Sequence, residues 1–584
     1  MLGVLWTVDK QLFLGNLVVT MVPGFMPFVN AYIYKLMIDL IVGAIGGAPI
    51  DYSYLWILIA ARAATLFVQD AASTAQRHYQ IMLWTKLPAH LYQVVLSKLS
   101  SLDLEYFENS AFKDRLEQVR ESYSYRPLNL VSYSFDTIQS FTRFAIAAVS
   151  IIALNWMLAA VVLVVTVPTL LFQSKYAKAT WSIWSDNSPY RKRFSYLADL
   201  IQSGDSVKEI KLFQLARNFV GELKSIQDKF ASENSWAVRR QSLTGFALNF
   251  LNVAAYVAIE VFIIFAAIAK RISIGDITYF TTVLSNFQSG ANGLFRNATY
   301  LFDNAQYVRE MFAVLDAKSK ISTAVHPTKL EPGKIPKIEF KNVSFAYPGT
   351  EQKVLDNFSL MIEPGQKIAF VGENGAGKTT IVKLLGRFYD VDEGEILIDD
   401  VNIKKLDLNS WYDSLGVLFQ DFIKYEYSLR DNIHFGKINA PNDLASVIDA
   451  ANQAGADLVA EGLPKKYDQI LGRTFEGGID LSTGQWQKVA LARGFYRNAA
   501  VLVLDEPTAA IDAKAESEIF KRVEKLSKNK TVLIISHRFS TVRNADRIYV
   551  IKDGKISESG SHKELMDVGG TYATLFKLQA KGYK

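Results

Sequence analysis

Apolar residues form long runs through the first half of the chain, and short runs bounded by glycine and polar residues through the second. Long runs of this kind predict helices that cross a membrane, each needing about 20 apolar residues. The first span is expected over about 12–45, interrupted by Pro23 and Pro27, and the second over about 53–75. The short segment before them, Met1-Leu-Gly-Val-Leu-Trp6, lacks the basic residues of a secretory signal and reads as an interfacial elbow. The block Phe144–Phe172 would be roughly 43 Å long as one helix, against a hydrocarbon core of about 30 Å. Asn155-Trp156 in its middle suits a tight turn, so a hairpin of spans at about 128–154 and 157–176 is the better reading. Two more spans, about 244–269 and 277–312, complete a set of six.

Charge placement supports that number. The polar stretches 76–127 and 174–242 are rich in Lys and Arg, including Arg191, Lys192, Arg193, Arg239 and Arg240, whereas the short connections near 46–52 and 155–156 carry none. By the positive-inside rule both long stretches are cytoplasmic, with an even number of spans between them. Each contains a short charged, amphipathic piece, about 102–113 and 207–215, which reads either as a solvated helical face or as a docking contact. The last span is interrupted by Thr278, Thr281, Thr282, Ser285, Asn286, Gln288, Ser289, Asn292 and Arg296, a density that lipid does not tolerate and that suits a polar cavity. Arg62 and Glu260 are ionisable groups at membrane depth, either structural or on a substrate path. A transmembrane domain over 1–315 is therefore expected, then a polar, proline-bearing linker over 316–335, then a soluble α/β domain over 336–584.

Composition narrows the chemistry. Half of the 584 residues are hydrophobic and 21% are charged, a mixture that resolves once the chain is split in two. A net charge of +6 over this length gives no case for a nucleic-acid partner. The absence of cysteine excludes disulfides, thiolate metal sites and thiol catalysis, whether it is natural or engineered.

The soluble half carries a phosphate site. Ile368–Val371 is an apolar strand that runs into G-x-x-x-x-G-K-T from Gly372 to Thr379, followed by an apolar helical run from Ile381. Strand, glycine loop and helix in that order make a P-loop. Gly372, Gly375 and Gly377 allow the backbone to aim successive N–H groups at phosphate oxygens, with Asn374 among them and Thr380 following on the helix. Lys378 reaches the β- and γ-phosphates, and the Thr379 hydroxyl ligates Mg²⁺. Downstream, Val501–Asp505 is a buried strand ending in the carboxylates of Asp505 and Glu506. The first is placed to hold Mg²⁺ and the second to polarise the attacking water. Gln420, after Val417-Leu-Phe419, and His537, after Thr531–Ser536, also end apolar strands, suiting Gln420 to Mg²⁺ or the water and His537 to the γ-phosphate. Ligands of open α/β sheets bind at such strand ends.

Leu481-Ser-Thr-Gly-Gln485, followed by Trp486–Arg493, resembles the signature of ATP-binding cassette (ABC) proteins. Tyr347 resembles their adenine-stacking aromatic, and Ala509-Ala-Ile-Asp512 their D-loop. The motifs stand in family order and the resemblance covers the whole chain. It implies an ABC exporter half-transporter of multidomain fold: an all-α, six-helix transmembrane domain with long cytoplasmic helical extensions, followed by an α/β P-loop ATPase domain. It also implies that ATP and Mg²⁺ are the cofactors, that Ser482, Gly484, Gln485 and Asp512 contact nucleotide, and that 102–113 and 207–215 are coupling helices. A chain with one cassette is expected to pair with a second subunit, a homodimer being favoured over a heterodimer, in a bacterial plasma membrane with the cassette in the cytoplasm. The function implied is ATP-driven export of a peptide, drug-like or amphipathic cargo. A lipid translocator of the same fold and an ATP-gated channel are the alternatives. Trp486-Gln-Lys488 resembles the corresponding stretch in exporters of lantibiotic and other modified peptides. No peptidase domain precedes the first span, so leader cleavage is not expected of this chain. Two motifs depart from the family pattern: Thr483 stands where the signature has Gly, and Ala509 and Ile511 stand where the D-loop has Ser and Leu.

Overall fold

A computed structural model describes residues 2–582 apart from 124, 159, 163, 166, 169–171, 173–187, 508–520, 523, 525–528 and 537. It divides into two compact units, one of residues 1–100 with 114–317 and the other of 101–113 with 318–584. Residues 101–113, which contain the first of the two expected coupling segments, thus group with the second unit.

The first unit is built from long helices. A short α1 (Leu2–Val8) precedes α2 (Lys10–Ile45), whose start is capped by the Asp9 carboxylate accepting from Leu12 N at 2.9 Å. Next come α3 (Tyr52–Ser100), α4 (Leu104–Glu108), α5 (Ser110–Ser122) and α6 (Arg126–Leu154), with α4 in the second unit. After these follow α7 (Ser188–Gln202), α8 (Val207–Leu212), α9 (Ala216–Ile268) and α10 (Ile274–Leu315). The 49 residues of α3 make a rod of about 74 Å, far longer than a hydrocarbon core. Helix α6 stops at the expected turn: Asn155 is extended and its side chain accepts from Met157 N at 2.8 Å. Phe28, Ala147, Ile151, Ile259, Ile263, Val283 and Phe287 form one buried apolar cluster from α2, α6, α9 and α10.

Among the described residues, four helices are long and apolar enough to cross a membrane: α2, α3, α6 and α9. Helix α10 has the length, but the polar residues noted above dilute it. Half of the expected span over 157–176 falls outside the described residues. Contrary to the interruption expected in the first span, α2 runs through Pro23 and Pro27 without a break.

The second unit holds two sheets among the described residues. One has the order β2-β1-β4-β5, from β1 (Ile338–Ala346), β2 (Lys353–Ile362), β4 (Glu393–Ile398) and β5 (Val401–Asn402). The other has the order β10-β9-β3-β8-β7-β6, from β3 (Lys367–Gly372), β6 (Leu415–Leu418), β7 (Val501–Asp505), β8 (Thr531–Ile535), β9 (Arg547–Lys552) and β10 (Lys555–Gly560). Its strands β9, β3, β8, β7 and β6 are parallel, and β10 is antiparallel to β9. Parallel strands covered on both faces read as unbroken apolar runs, as Val501–Leu504 does. Successive side chains alternate between two cores: Ala369, Val371, Leu502, Leu504, Val532 and Ile534 face one, Ile368, Phe370, Val501, Val503, Leu533 and Ile535 the other. The expected linker is partly anchored here. Arg387 Nη2 donates to Ser322 O at 3.0 Å, and Thr328 N to Lys405 O at 2.9 Å.

Candidate nucleotide site

Because β3, β8, β7 and β6 are parallel, their carboxyl ends share one edge. That edge collects Gly372, Ser536, Asp505 with Glu506, and Gln420. A cleft of about 510 Å³ opens there, lined by Tyr347, Asn374, Gly375, Gly377, Lys378, Thr379, Thr380, Gln420 and Glu506 among others. Residues far apart in sequence, from Tyr347 to Glu506, are thus gathered into one site.

The loop glycines are required by geometry. Gly372, Gly375 and Gly377 have φ of +150°, +81° and +101°. A Cβ on Gly372 would collide with Ile551 O. The turn delivers the chain into helix α11 (Lys378–Leu385), whose first residue is the P-loop lysine. Lys378 is buried, and its Nζ donates to Gly372 O at 2.9 Å and Glu373 O at 2.7 Å, so the ammonium closes the loop on itself. Burial pulls its pKa below the usual lysine range, opposed by the charges of Glu506 and Asp505.

The carboxylates are held differently. Asp505 is buried at the end of β7, and Thr379 Oγ1 donates to its Oδ2 at 3.3 Å. Its Oδ1 is buried with no hydrogen-bond partner among the described residues. Burial, and then the neighbouring charge of Glu506, push its pKa up to about 6. An orphaned carboxylate oxygen beside a threonine hydroxyl fits a hard divalent cation with oxygen ligands. Glu506 turns out of the strand with φ of +48°, a backbone conformation uncommon for a residue with a side chain. Its backbone N donates to Ile535 O at 2.9 Å, and Gln487 Nε2 donates to its carbonyl at 3.2 Å. Its Oε2 accepts from Gln420 Nε2 at 3.0 Å, so the glutamine and the glutamate stand side by side at the cleft.

At the other end of the cleft, the Tyr347 hydroxyl lies 3.1 Å from Thr380 Oγ1. Lys383 Nζ stands 5.1 Å from the centre of the Tyr347 ring. The same ammonium donates to Glu108 of α4 at 2.8 Å, and Tyr389 donates its hydroxyl to that carboxylate. Burial alone would raise the Glu108 pKa; the hydrogen bonds from Lys383 and Tyr389 hold it below the usual range. Lys383 and Tyr389 are not marked by anything in their local sequence patterns, and Gln487 stands out there only as part of Trp486-Gln-Lys488, with no sign of its contact to Glu506.

Ser482, Gly484 and Gln485 do not line the cleft. They begin helix α12 (Thr483–Tyr496), where Ser482 and Gln485 form a reciprocal cap: Gln485 N to Ser482 Oγ at 3.3 Å, Ser482 N to Gln485 Oε1 at 2.9 Å. An exposed helix N-terminus of this kind suits an anion. Thr483 is exposed at the first helical position and has no positive φ, so threonine in place of glycine strains nothing. His537 and Asp512 lie outside the described residues.

The ABC transporter family profile matches residues 355–509. Along nearly the whole chain, the protein is 30% identical to the subtilin transport ATP-binding protein of Bacillus subtilis, over 96% of this chain and 91% of that one. It is 26% identical to the nisin transport ATP-binding protein of Lactococcus lactis subsp. lactis, over 97% and 93%. An ATP-dependent lipid A-core flippase of Bordetella avium is 31% identical over 77% of this chain and 76% of its own. Among solved structures, a bacterial Atm1-family ABC exporter with ATP bound superposes with a TM-score of 0.81, covering 98% of this chain and 99% of that one at 23% identity. With its P-loop cleft, its signature helix and its helical first unit, the chain belongs to the ABC transporter family, as an ATP-hydrolysing exporter half-transporter in which a membrane-type helical domain precedes one nucleotide-binding domain.

Proposed function

We propose that two copies of this chain form, in a bacterial plasma membrane, a pump that exports a modified, amphipathic peptide. The observation that carries this reading is the full-length relationship to two proteins named for the transport of subtilin and nisin. A feature of α10 supports a cargo with polar groups. Ser285, Ser289, Asn292 and Arg296, spaced by four, three and four residues, lie along one helical face. The flippase relationship keeps a lipid cargo as the second reading.

The nucleotide chemistry follows from the cleft. Tyr347 stacks the adenine, and the loop from Gly372 to Thr380, Asn374 included, cradles the phosphates. Thr379, Asp505 and Gln420 hold Mg²⁺, which neutralises charge on the β- and γ-phosphates. Glu506 orients and deprotonates the attacking water, with His537 at the γ-phosphate. Ser482, Gly484 and Gln485, absent from the cleft of their own chain, cap the γ-phosphate held by the second copy, and Asp512 joins across the same interface. Closure on ATP shifts a two-state equilibrium in proportion to the extra contacts that nucleotide makes in the closed form. Residues 102–113 and 207–215 pass that closure to the six spans of 1–315.

Glu108 is the contact through which the first coupling segment senses the site, because Lys383 joins it to the base-stacking Tyr347. Replacing Glu108 by Ala is expected to lower transport several-fold while nucleotide still binds. The charge exchange Glu108→Lys with Lys383→Glu should restore part of it. Equal transport by wild type and Glu108→Ala in reconstituted vesicles would remove this contact from the coupling path.

Subunit mixing tests the dimer. Ser482→Arg and Lys378→Ala each spoil both sites of a homodimer. In a mixed dimer carrying one of each, both lesions fall at the same composite site, so one intact site remains. ATP hydrolysis that reappears on mixing supports the paired arrangement. No recovery, with mixed dimers verified by tag pull-down, contradicts it.

A further inference from the structure

Helix α2 carries two prolines in its interior and still runs unbroken from Lys10 to Ile45. Proline at position 27 has no N–H, so the hydrogen bond that residue 27 would donate to the carbonyl of residue 23 is missing. Within a membrane no water replaces it, and a freed carbonyl must find another donor. The donor here comes from 120 positions away. Arg143, in the middle of α6, directs both Nε and Nη2 at Pro23 O, each at 3.3 Å. The helices meet closely at this level, since a Cβ on Gly24 would lie 3.1 Å from Thr142 Cβ and 3.3 Å from Gln139 O.

Arginine inside a spanning helix is costly unless it meets acceptors. A helix lacking an internal hydrogen bond is a weak point at which it bends. Each defect answers the other. We propose that Arg143 is a positioning residue: it supplies from α6 the hydrogen bond that Pro27 removes from α2, fastening the bendable joint so that the two helices move as one body during the transport cycle.

The test is a double-mutant cycle on the full-length protein in lipid nanodiscs, with Arg143→Met, Arg143→Lys, Pro27→Ala and the combination Pro27→Ala/Arg143→Met. Alanine at position 27 restores the N–H that Pro23 O lacks, so the need for Arg143 vanishes. With Pro27 in place, Arg143→Met is expected to lower the melting temperature. In the Pro27→Ala background the drop should shrink to less than half, and Arg143→Lys, which keeps a donor, should fall between wild type and Arg143→Met. The chain has no cysteine of its own, so spin labels can be placed at the exposed Val18 of α2 and Val149 of α6. Their distance distribution should broaden in Arg143→Met and narrow again with Pro27→Ala, a change that a general loss of packing would not reverse. An equal drop in both backgrounds, or none with Pro27 present, overturns the proposal. If Arg143→Met alone yields no folded protein, recovery by Pro27→Ala supports the proposal and failure to recover overturns it.

Discussion

Glu506→Gln is expected to cut ATP turnover by roughly 10²–10⁴-fold, the usual contribution of a positioned general base. The amide keeps the shape, and its oxygen still accepts the hydrogen bond that Gln420 Nε2 now donates to Oε2 at 3.0 Å. It loses the ability to take a proton from water. Nucleotide should still bind, because the residues that hold phosphate, Lys378 and the loop from Gly372, are untouched. The expected result is therefore a trapped, ATP-loaded protein, seen as retained radiolabelled nucleotide alongside absent phosphate release. Turnover undiminished in this variant would assign the base elsewhere, and Glu506 would be reduced to a structural carboxylate whose left-handed backbone has no catalytic reason.

Lys378→Ala is expected to fail one step earlier, at binding. The ammonium is buried and makes two hydrogen bonds to loop carbonyls, so its removal has two consequences. The β- and γ-phosphates lose the lysine of the cleft lining, and Gly372 O and Glu373 O lose a charged donor. Truncating one partner of a buried, charge-assisted contact typically costs about 2–5 kcal/mol, which is roughly 30- to several-thousand-fold in affinity. Titration with a fluorescent ATP analogue should show that weakening, with a smaller effect on ADP, which lacks the γ-phosphate. An affinity within a factor of about two of wild type would contradict the role given to Lys378.

Much of the nucleotide site was legible because its determinants are local. The order of strand, glycines and lysine around Gly372–Lys378 defines the turn. The apolar run Val501–Leu504 announces a covered parallel strand, and polar residues ending several such strands must meet if the strands are parallel. The pairing of Gln420 with Glu506 follows from that logic. What stayed illegible depends on distant partners. Glu108 and Lys383 are 275 positions apart, and an acidic residue in an amphipathic segment looks like any solvated charge. Pro23 and Pro27 pointed to an interrupted first span, because the guanidinium that compensates one of them sits on another helix. The polar residues of the last span were legible as a density that suits a cavity, and the helix over Ile274–Leu315 bears out the element on which their spacing of four, three and four places Ser285, Ser289, Asn292 and Arg296 along one face.

The measurement that bears most directly on the account is ATP-dependent uptake of a fluorescent lantibiotic-type peptide into proteoliposomes whose nucleotide domains face outward, beside the Glu506→Gln protein. The account predicts accumulation against a gradient in wild type with ATP, and none in the variant or without nucleotide. Uptake that only equilibrates the peptide, or a fluorescent lipid crossing while the peptide stays outside, would contradict an ATP-driven peptide exporter.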